Sequence, residues 1–428
     1  MANLAVIGAG IGGCSAAYFA RKYIPDLKVT IFEMTNRIGG RVFTFNQEKM
    51  NNELGAAFFN PMNKTVCNLV NELGLEVKKS EESMDIGIWN GTEITFRSNQ
   101  SNFYMMLKLF SKYKLSIVKL LFSLKETNKK IKKMYLQEEK PTELWELFES
   151  IGLDKWYKKS FDQILLELGI DEKFIDELIT PITRIIYSQN AELGGFAGIS
   201  SLLGVYGEEM YSLKEGNEVL PKKLLTASAA KVKLNNKVTS IEKTSKNRFR
   251  IIVGKSTYFF DNIIVATPHE GANITFEGDS KRKLDTCEYQ KIYIRLLKGV
   301  VNSKFFNLKD TTKVPSVILT SKGADPITRF SIKPSTKNDS FVTITSTEPI
   351  GNDLLVDLFK TGQIILDHTW SGAYPIFNPI QKIPPICLDS GLFYINAIES
   401  AASSLESSTF AASKIINILK KQLSSKLV

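Results

Sequence analysis

Short apolar runs separated by small or polar breaks organise the N-terminal part of the chain. Leu4-Ala5-Val6-Ile7 is wholly apolar, the pattern of a strand buried on both faces. It runs into Gly8-Ala9-Gly10-Ile11-Gly12-Gly13, after which Cys14 to Tyr23, built of small and aromatic residues, predicts a helix. Lys28 to Phe32 predicts a second strand, closed by Glu33. Further along, Asn247 to Phe260 alternates as two strands, and Asn262-Ile263-Ile264-Val265-Ala266-Thr267-Pro268 returns to the buried parallel pattern. Between Asn102 and Lys140 the pattern turns helical.

The first break has a mechanical reading. Gly8 permits a tight turn, Gly10 lets a pyrophosphate approach the backbone, and Gly13 lets the helix pack closely on the strand. The helix N-terminus, with Ala9, Ile11 and Gly12 around it, offers unpaired N–H groups and partial positive charge to that pyrophosphate. Glu33 stands 20 residues beyond Gly13, where a carboxylate holding a ribose hydroxyl is expected, with Met34 beside it. A carboxylate there also repels a 2′-phosphate. The glycines alone do not separate one dinucleotide from another. The following segment, Asn36-Arg37-Ile38-Gly39-Gly40-Arg41-Val42, adds backbone amides at Gly39 and Gly40 and a guanidinium at Arg41, suited to the same diphosphate. Gly55-Ala56-Ala57-Phe58 then supplies small residues beside which a flat ring system fits.

Length and composition narrow the class. The 428 residues suggest two or three domains, and 43% hydrophobic with 23% charged residues is a globular balance. Lys plus Arg (55) exceeds Asp plus Glu (45), a net +10 that favours anionic partners such as phosphorylated cofactors. Ten lysines face three glutamates between Asn102 and Lys140, a net +7 over that stretch. Two readings of it stay open: a membrane-surface helix that admits isoprenoid substrates, or a solvated helix face. No recognition motif accompanies the charge, so nucleic acid is not an expected partner. Cys14, Cys67, Cys287 and Cys387 have no metal-ligand spacing and there are two histidines, so no metal site or disulfide framework is expected. Free thiols suit a reducing compartment. With no secretory pattern and no run of about 18 apolar residues, the expected location is cytoplasmic, with peripheral membrane contact as an option.

The series GAGIGG, Glu33, RIGGR and ELGAAF resembles the flavin amine oxidase superfamily, which includes monoamine oxidases, protoporphyrinogen oxidases and carotenoid desaturases. The resemblance implies FAD. It extends to Thr369-Trp370-Ser371-Gly372-Ala373-Tyr374-Pro375, similar to the aromatic segment beside the isoalloxazine, and to Gly391 through Ala401, similar to the closing flavin motif. Gly372-Ala373 stands where some members carry a flavin-bonding cysteine, so the FAD is expected to be noncovalent. From the resemblance, Val238 is expected at the adenine. Ala266, Thr267, Trp370, Tyr374, Asn396 and Ser400 are further expected cofactor contacts. Glu399 is placed at the ribityl or phosphate region, and Leu405 and Glu406 near the ring. Thr180 to Asn190, Gly194 to Leu202, Leu213 to Asn217 and Asn396 to Ser403 make the chain most similar to the prenylcysteine oxidases, also called lyases. These are implied to take hydride from the carbon beside a thioether sulfur, to pass electrons to O2, and to release an aldehyde and cysteine through attack of water.

The implied fold is α/β: an FAD-binding Rossmann-like domain of the GR2 type with an inserted α+β substrate domain. The FAD domain is expected to be discontinuous, over 1–75, 220–280 and 365–428, with the substrate domain at 76–219 and 281–364. Hydride removal by flavin needs no strong base. Accordingly no acid–base residue is named: Tyr374, Tyr187 and Arg184 are candidates for lining the active site, and His269 is read as a loop residue. The substrate is expected to be an apolar small molecule, isoprenoid in the favoured case. An amine oxidase, a porphyrinogen oxidase, a carotenoid-type desaturase and a non-enzymatic FAD-containing scaffold remain open; a cage of two aromatics would favour the amine.

Overall fold

The computed structural model describes residues 2–48, 50–79, 85–98, 111–113, 115–137, 143–205, 209–246, 248–268, 272–277, 287–309, 313–336 and 339–425. The apolar runs of the sequence become neighbours in one six-stranded sheet. Its order is Cys387–Asp389, Leu392–Tyr394, Asn262–Val265, Asn3–Ile7, Lys28–Phe32, Lys231–Lys233. Five strands run parallel, and Cys387–Asp389 pairs antiparallel at one edge. The register sets Ile7 against Phe32 and Val265, and Val265 against Tyr394. The residues that follow these strands, Gly8, Glu33, Ala266 and Ile395, therefore gather at one carboxyl edge. In a parallel open sheet that edge is where ligands bind.

The first helix covers Ile11–Tyr23, three residues earlier than the composition predicts. Its opening turn contains Gly12 and Gly13. A Cβ on Gly13 would lie 2.0 Å from the Gly8 carbonyl oxygen, so the helix enters the glycine run because only bare backbone fits there. Two further helices, Val219–Ser228 and Leu405–Ser425, pack against it. The closing motif also departs from a strand running straight into a helix. After Leu392–Tyr394 comes a 3₁₀ stretch, Ile395–Ser400, and the long helix starts only at Leu405. Ser404 and Ser407 mark the new start: the Ser404 amide donates to Ser407 Oγ (2.8 Å) and the Ser407 amide to Ser404 Oγ (3.0 Å).

A seven-stranded sheet forms the second layer, in the order Phe359–Pro375, Tyr289–Val301, Ser340–Ser346, Ile327–Pro334, Val317–Thr320, Ile86–Trp89, Ile94–Arg97. The strand Phe359–Pro375 lies wholly in this sheet, so a boundary at 365 cuts through it, and the chain rejoins the six-stranded sheet at Cys387. The pairing with Tyr289–Val301 explains this: the two strands are held together along almost their full length. Helices between Leu115 and Val205 cover one side, including Leu115–Tyr135 in the basic stretch and Thr180–Tyr187. Lysines 108, 114 and 140, glutamates 138 and 139 and the apolar start at Phe103 lie outside the described residues, as does His269. Among the described residues no helix is long and apolar enough to cross a membrane.

Candidate active site

One cavity of about 1000 Å³ runs from the carboxyl edge of the six-stranded sheet to the face of the seven-stranded sheet and the helical cover. At the sheet edge its wall carries Gly8, Gly10, Ile11, Gly12, Glu33, Met34, Gly40 and Arg41. The glycines there do different jobs. Gly8 has φ +108° and a Cβ on it would meet the Ala266 carbonyl oxygen at 2.6 Å, so protein packing demands it. Gly10 is different: with φ −74° and nothing nearer than 3.9 Å to its added Cβ, no protein atom requires a glycine. The bare backbone serves the cavity, as a cradle for a diphosphate does. Gly40 stands against it, its Cβ position 3.0 Å from Gly10 Cα.

Ala9, Gly13 and Gly39 are not cavity residues; they hold the cradle. The Ala9 amide donates to Glu33 Oε2 at 2.8 Å, and the Gly39 amide donates to the Ala9 carbonyl at 2.9 Å. Glu33 Oε1 accepts from the Thr35 amide (2.9 Å) and hydroxyl (2.8 Å), so its carboxylate is held in place at the cavity wall. Val238, Ala266 and Thr267 line the same end.

The middle of the cavity is walled by Gly55, Ala56, Ala57, Phe58, Trp370, Gly372, Ala373, Tyr374, Asn396, Leu405 and Glu406. A Cβ at Gly55 would lie 1.9 Å from the Arg41 carbonyl oxygen, which keeps that loop flat against the cradle. Asn217 Nδ2 donates to the carbonyls of Ala56 and Ala57, both at 2.9 Å, and Trp370 Nε1 donates to Leu54 O at 2.7 Å. Asn396 Oδ1 is a buried acceptor without a partner among the described residues, a second feature that calls for a polar ligand. Glu406 is spoken for: it accepts from the Thr65 and Val66 amides, each at 2.9 Å, and from Tyr135 Oη at 2.7 Å. Burial raises its carboxyl pKa, against those hydrogen bonds. None of the four cysteines is a lining residue.

Two expected contacts need correction. Glu399 is fully buried and does not line the cavity. It pairs with Arg41 Nη2 and accepts from Tyr289 Oη at 2.5 Å, so it positions these two lining residues from behind the wall. Burial, and then the Glu399 carboxylate, hold the Tyr289 phenol well above its ordinary pKa. Ser400 also lies behind the wall, where its hydroxyl donates to Ala397 O at 2.9 Å. Among the candidate active-site residues, Tyr187 and Tyr374 line the cavity and Arg184 does not. Arg184 is buried, with donors taken by Thr320 Oγ1 (3.1 Å), Asn190 Oδ1 (2.9 Å), Asp325 Oδ1 (2.7 Å) and Ile327 O (2.9 Å). Those bonds staple its helix to the seven-stranded sheet. The rings of Tyr187 and Tyr374 touch edge to face, centroids 5.5 Å apart, so this pair leaves no room for an amine between its faces.

Residues not named as site candidates in the sequence complete the site. Tyr289, Ile292, Ile294, Arg329 and Thr345 come from the seven-stranded sheet; Phe148, Phe196, Ile131 and Met134 come from the helices. Their only signal was the alternation of the strands and helices that carry them.

The parallel sheet and the cradle at Gly10 define a dinucleotide-binding site, and taken with the family and relatives matched below the protein is a flavin-dependent oxidoreductase whose cofactor is FAD. A family model described as prenylcysteine lyase matches residues 96–427, and one described as an NAD(P)-binding Rossmann-like domain matches residues 6–73. The chain belongs to the prenylcysteine lyase family. It is 29% identical to prenylcysteine oxidase 1 of Bos taurus over 443 residues, covering 96% of this chain and 86% of that one. It is likewise 29% identical to farnesylcysteine lyase of Arabidopsis thaliana over 451 residues, 98% of this chain and 88% of that one. Among solved structures, the cyclohexylamine oxidase of Brevibacterium oxydans shares its fold, with a TM-score of 0.64, 15% identity and coverage of 99% of both chains.

Proposed function

We propose that this protein oxidises prenylated cysteine thioethers, with O2 as the electron acceptor. The observation that carries the reading is the continuity of the cradle with a large chamber walled by apolar and aromatic side chains, Ile131, Met134, Phe148, Phe196, Ile292 and Ile294 among them. A farnesyl or geranylgeranyl chain is an apolar ligand for such a wall. The names of the relatives, prenylcysteine oxidase and farnesylcysteine lyase, point the same way.

Bound FAD supplies the hydride acceptor. The residues do the rest. The cradle at Gly8–Gly12 with Arg41 would hold the diphosphate, and Glu33 the adenosine ribose. Tyr374 and Trp370 wall the ring region, and the apolar chamber orients the substrate carbon and keeps bulk water away until oxidation. Overall, one C–H hydrogen leaves as hydride, O2 is reduced to H2O2, and water supplies the aldehyde oxygen as the C–S bond breaks and the thiol is released. No side chain has to abstract a proton from carbon.

We also propose contact with anionic membranes through the basic helix. Leu115, Val118, Leu121 and Phe122 are exposed on it, together with Lys125, Lys132 and Lys133. An apolar strip rimmed by lysines fits a lipid surface.

The test is anaerobic mixing of the yellow holoprotein with farnesylcysteine, geranylgeranylcysteine, a diamine and a porphyrinogen. Bleaching by the thioethers, followed by thiol and aldehyde release in air, is the expected result. Bleaching by the amine or porphyrinogen alone would overturn the thioether reading.

A further inference from the structure

Among the described residues, Arg329 is the one strongly basic side chain of the cavity wall that comes from the seven-stranded sheet. On its strand, Ile327, Phe330 and Ile332 belong to the apolar cluster behind the sheet. Arg329 and Lys333, four residues apart, share a face in strand geometry. Lys333 Nζ reaches Asn51 O at 2.9 Å, and Arg329 lines the cavity. Register places Arg329 opposite Thr345, and Thr345 opposite Ile294, so one row across three strands contributes a guanidinium, a hydroxyl and an apolar side chain to the wall.

The guanidinium is incompletely satisfied. One of its Nη atoms donates to Thr345 Oγ1 at 3.2 Å. Nε is buried with no acceptor, and no carboxylate pairs with Arg329 among the described residues. The two other arginines of the wall differ: Arg41 pairs with Glu399, and Arg37 with Glu218. Burial favours the neutral form of Arg329, and the titratable groups bearing on it are the phenol of Tyr374, itself kept protonated by burial, and the Lys333 ammonium on the same strand face. A guanidinium half-buried in the wall, with no carboxylate partner, is costly, and a planar fork of donors suits a carboxylate. The diphosphate cradle is built on the other sheet, so its charge is answered elsewhere.

We propose that Arg329, with Thr345, binds the α-carboxylate of the amino-acid head of the substrate, leaving the apolar tail to the chamber. This rests on the thioether reading above and deepens it. Arg329 becomes a specificity-determining residue: it selects a free carboxylate over a capped or neutral one.

The experiment compares S-farnesylcysteine with its carboxamide, which is equal in size and keeps the α-ammonium but lacks the carboxylate charge. Binding to the oxidised holoprotein is followed by flavin absorbance, and turnover by thiol release. A hydrogen-bonded ion pair of this kind corresponds to roughly a 10- to 100-fold preference for the carboxylate in wild type. In Arg329→Gln the preference should collapse towards unity, and Arg329→Lys should restore part of it. FAD content and flavin reduction potential are measured on the same samples. If wild type oxidises both thioethers with equal affinity, the carboxylate proposal falls and the thioether reading stands. If wild type acts on neither, the thioether reading falls and takes the proposal with it. A variant that keeps the preference but loses FAD or shifts the potential would assign Arg329 to the cofactor and overturn the proposal. Should Arg329→Gln not fold, the wild-type ratio and the Lys variant still decide.

Discussion

Gly10 and Gly13 look alike in the sequence and do opposite things. A Cβ at Gly13 would strike the Gly8 carbonyl, whereas a Cβ at Gly10 meets no protein atom closer than ordinary contact. Gly10→Val should therefore yield a folded protein, with a native circular dichroism spectrum, that is colourless and stays so after FAD is added. A yellow Gly10→Val protein would remove the cradle from the diphosphate. Glu53 offers a different test. Burial pushes its carboxyl up to about 7, against hydrogen bonds from the Asn217 amide (2.9 Å) and Thr44 Oγ1 (2.8 Å). The folded state then holds a proton that the unfolded state has released from about pH 4.5 upward. Stability from this group is therefore lost as pH rises between about 4.5 and 7, in total on the order of 3 kcal/mol. Glu53→Gln should remove that slope, so that its melting temperature gains on wild type as pH climbs through the window. Parallel curves for the two proteins would show that the carboxyl titrates normally.

Strands and helices carry the next test. Asn3–Ile7 is flanked by Lys28–Phe32 and by Asn262–Val265, which in turn pairs with Leu392–Tyr394. A fragment of residues 1–75 keeps one flank and loses the other, together with the helix Leu405–Ser425 that covers Ile11–Tyr23. It should fail to fold cooperatively; a sharp, monomeric melting transition would contradict this. Some lysines of the basic helix are engaged in the fold. Lys119 Nζ donates to Gly169 O (2.9 Å), Lys130 Nζ to Gly152 O (2.7 Å), and Lys129 pairs with Glu126 (2.6 Å). Replacing Lys125, Lys132 and Lys133 with Gln therefore addresses the membrane with the least structural cost. Each engaged lysine is worth about 1 kcal/mol near an anionic surface, screened as the Debye length falls to about 3 Å at 1 M salt. Sedimentation with anionic vesicles at low salt should pull down wild type and less of the variant, with flavin content equal. Wild type that remains in the supernatant would make the face a solvated one.

Taken as a whole, the cavity wall is assembled from segments as far apart as Ile7 and Phe410, drawn from both large sheets and the helical cover. A ligand filling it bridges all three. FAD at one hundred times its dissociation constant should stabilise the fold by about 2.7 kcal/mol. Adding FAD to stripped protein should raise its melting temperature in proportion to the logarithm of free FAD. A transition that ignores FAD would separate the cofactor site from the cooperative fold.

The dinucleotide end was legible in the chain because its chemistry is local. A tight turn, a bare backbone at Gly10 and a carboxylate one strand later follow from neighbours in sequence, and the helix and strands around them obey short-range periodicity. The far end was not legible. Arg184 and Arg329 are both arginines in regular elements, yet the first is consumed by four acceptors and the second faces the cavity. Glu399 looked like a cofactor contact and is instead the buried counter-ion of Arg41. Each of these outcomes depends on which strand lies opposite and which face it turns, and those are settled by packing between residues tens to hundreds apart. Local backbone chemistry thus determined the cradle, while only the pairing of distant strands decided what the cradle opens onto.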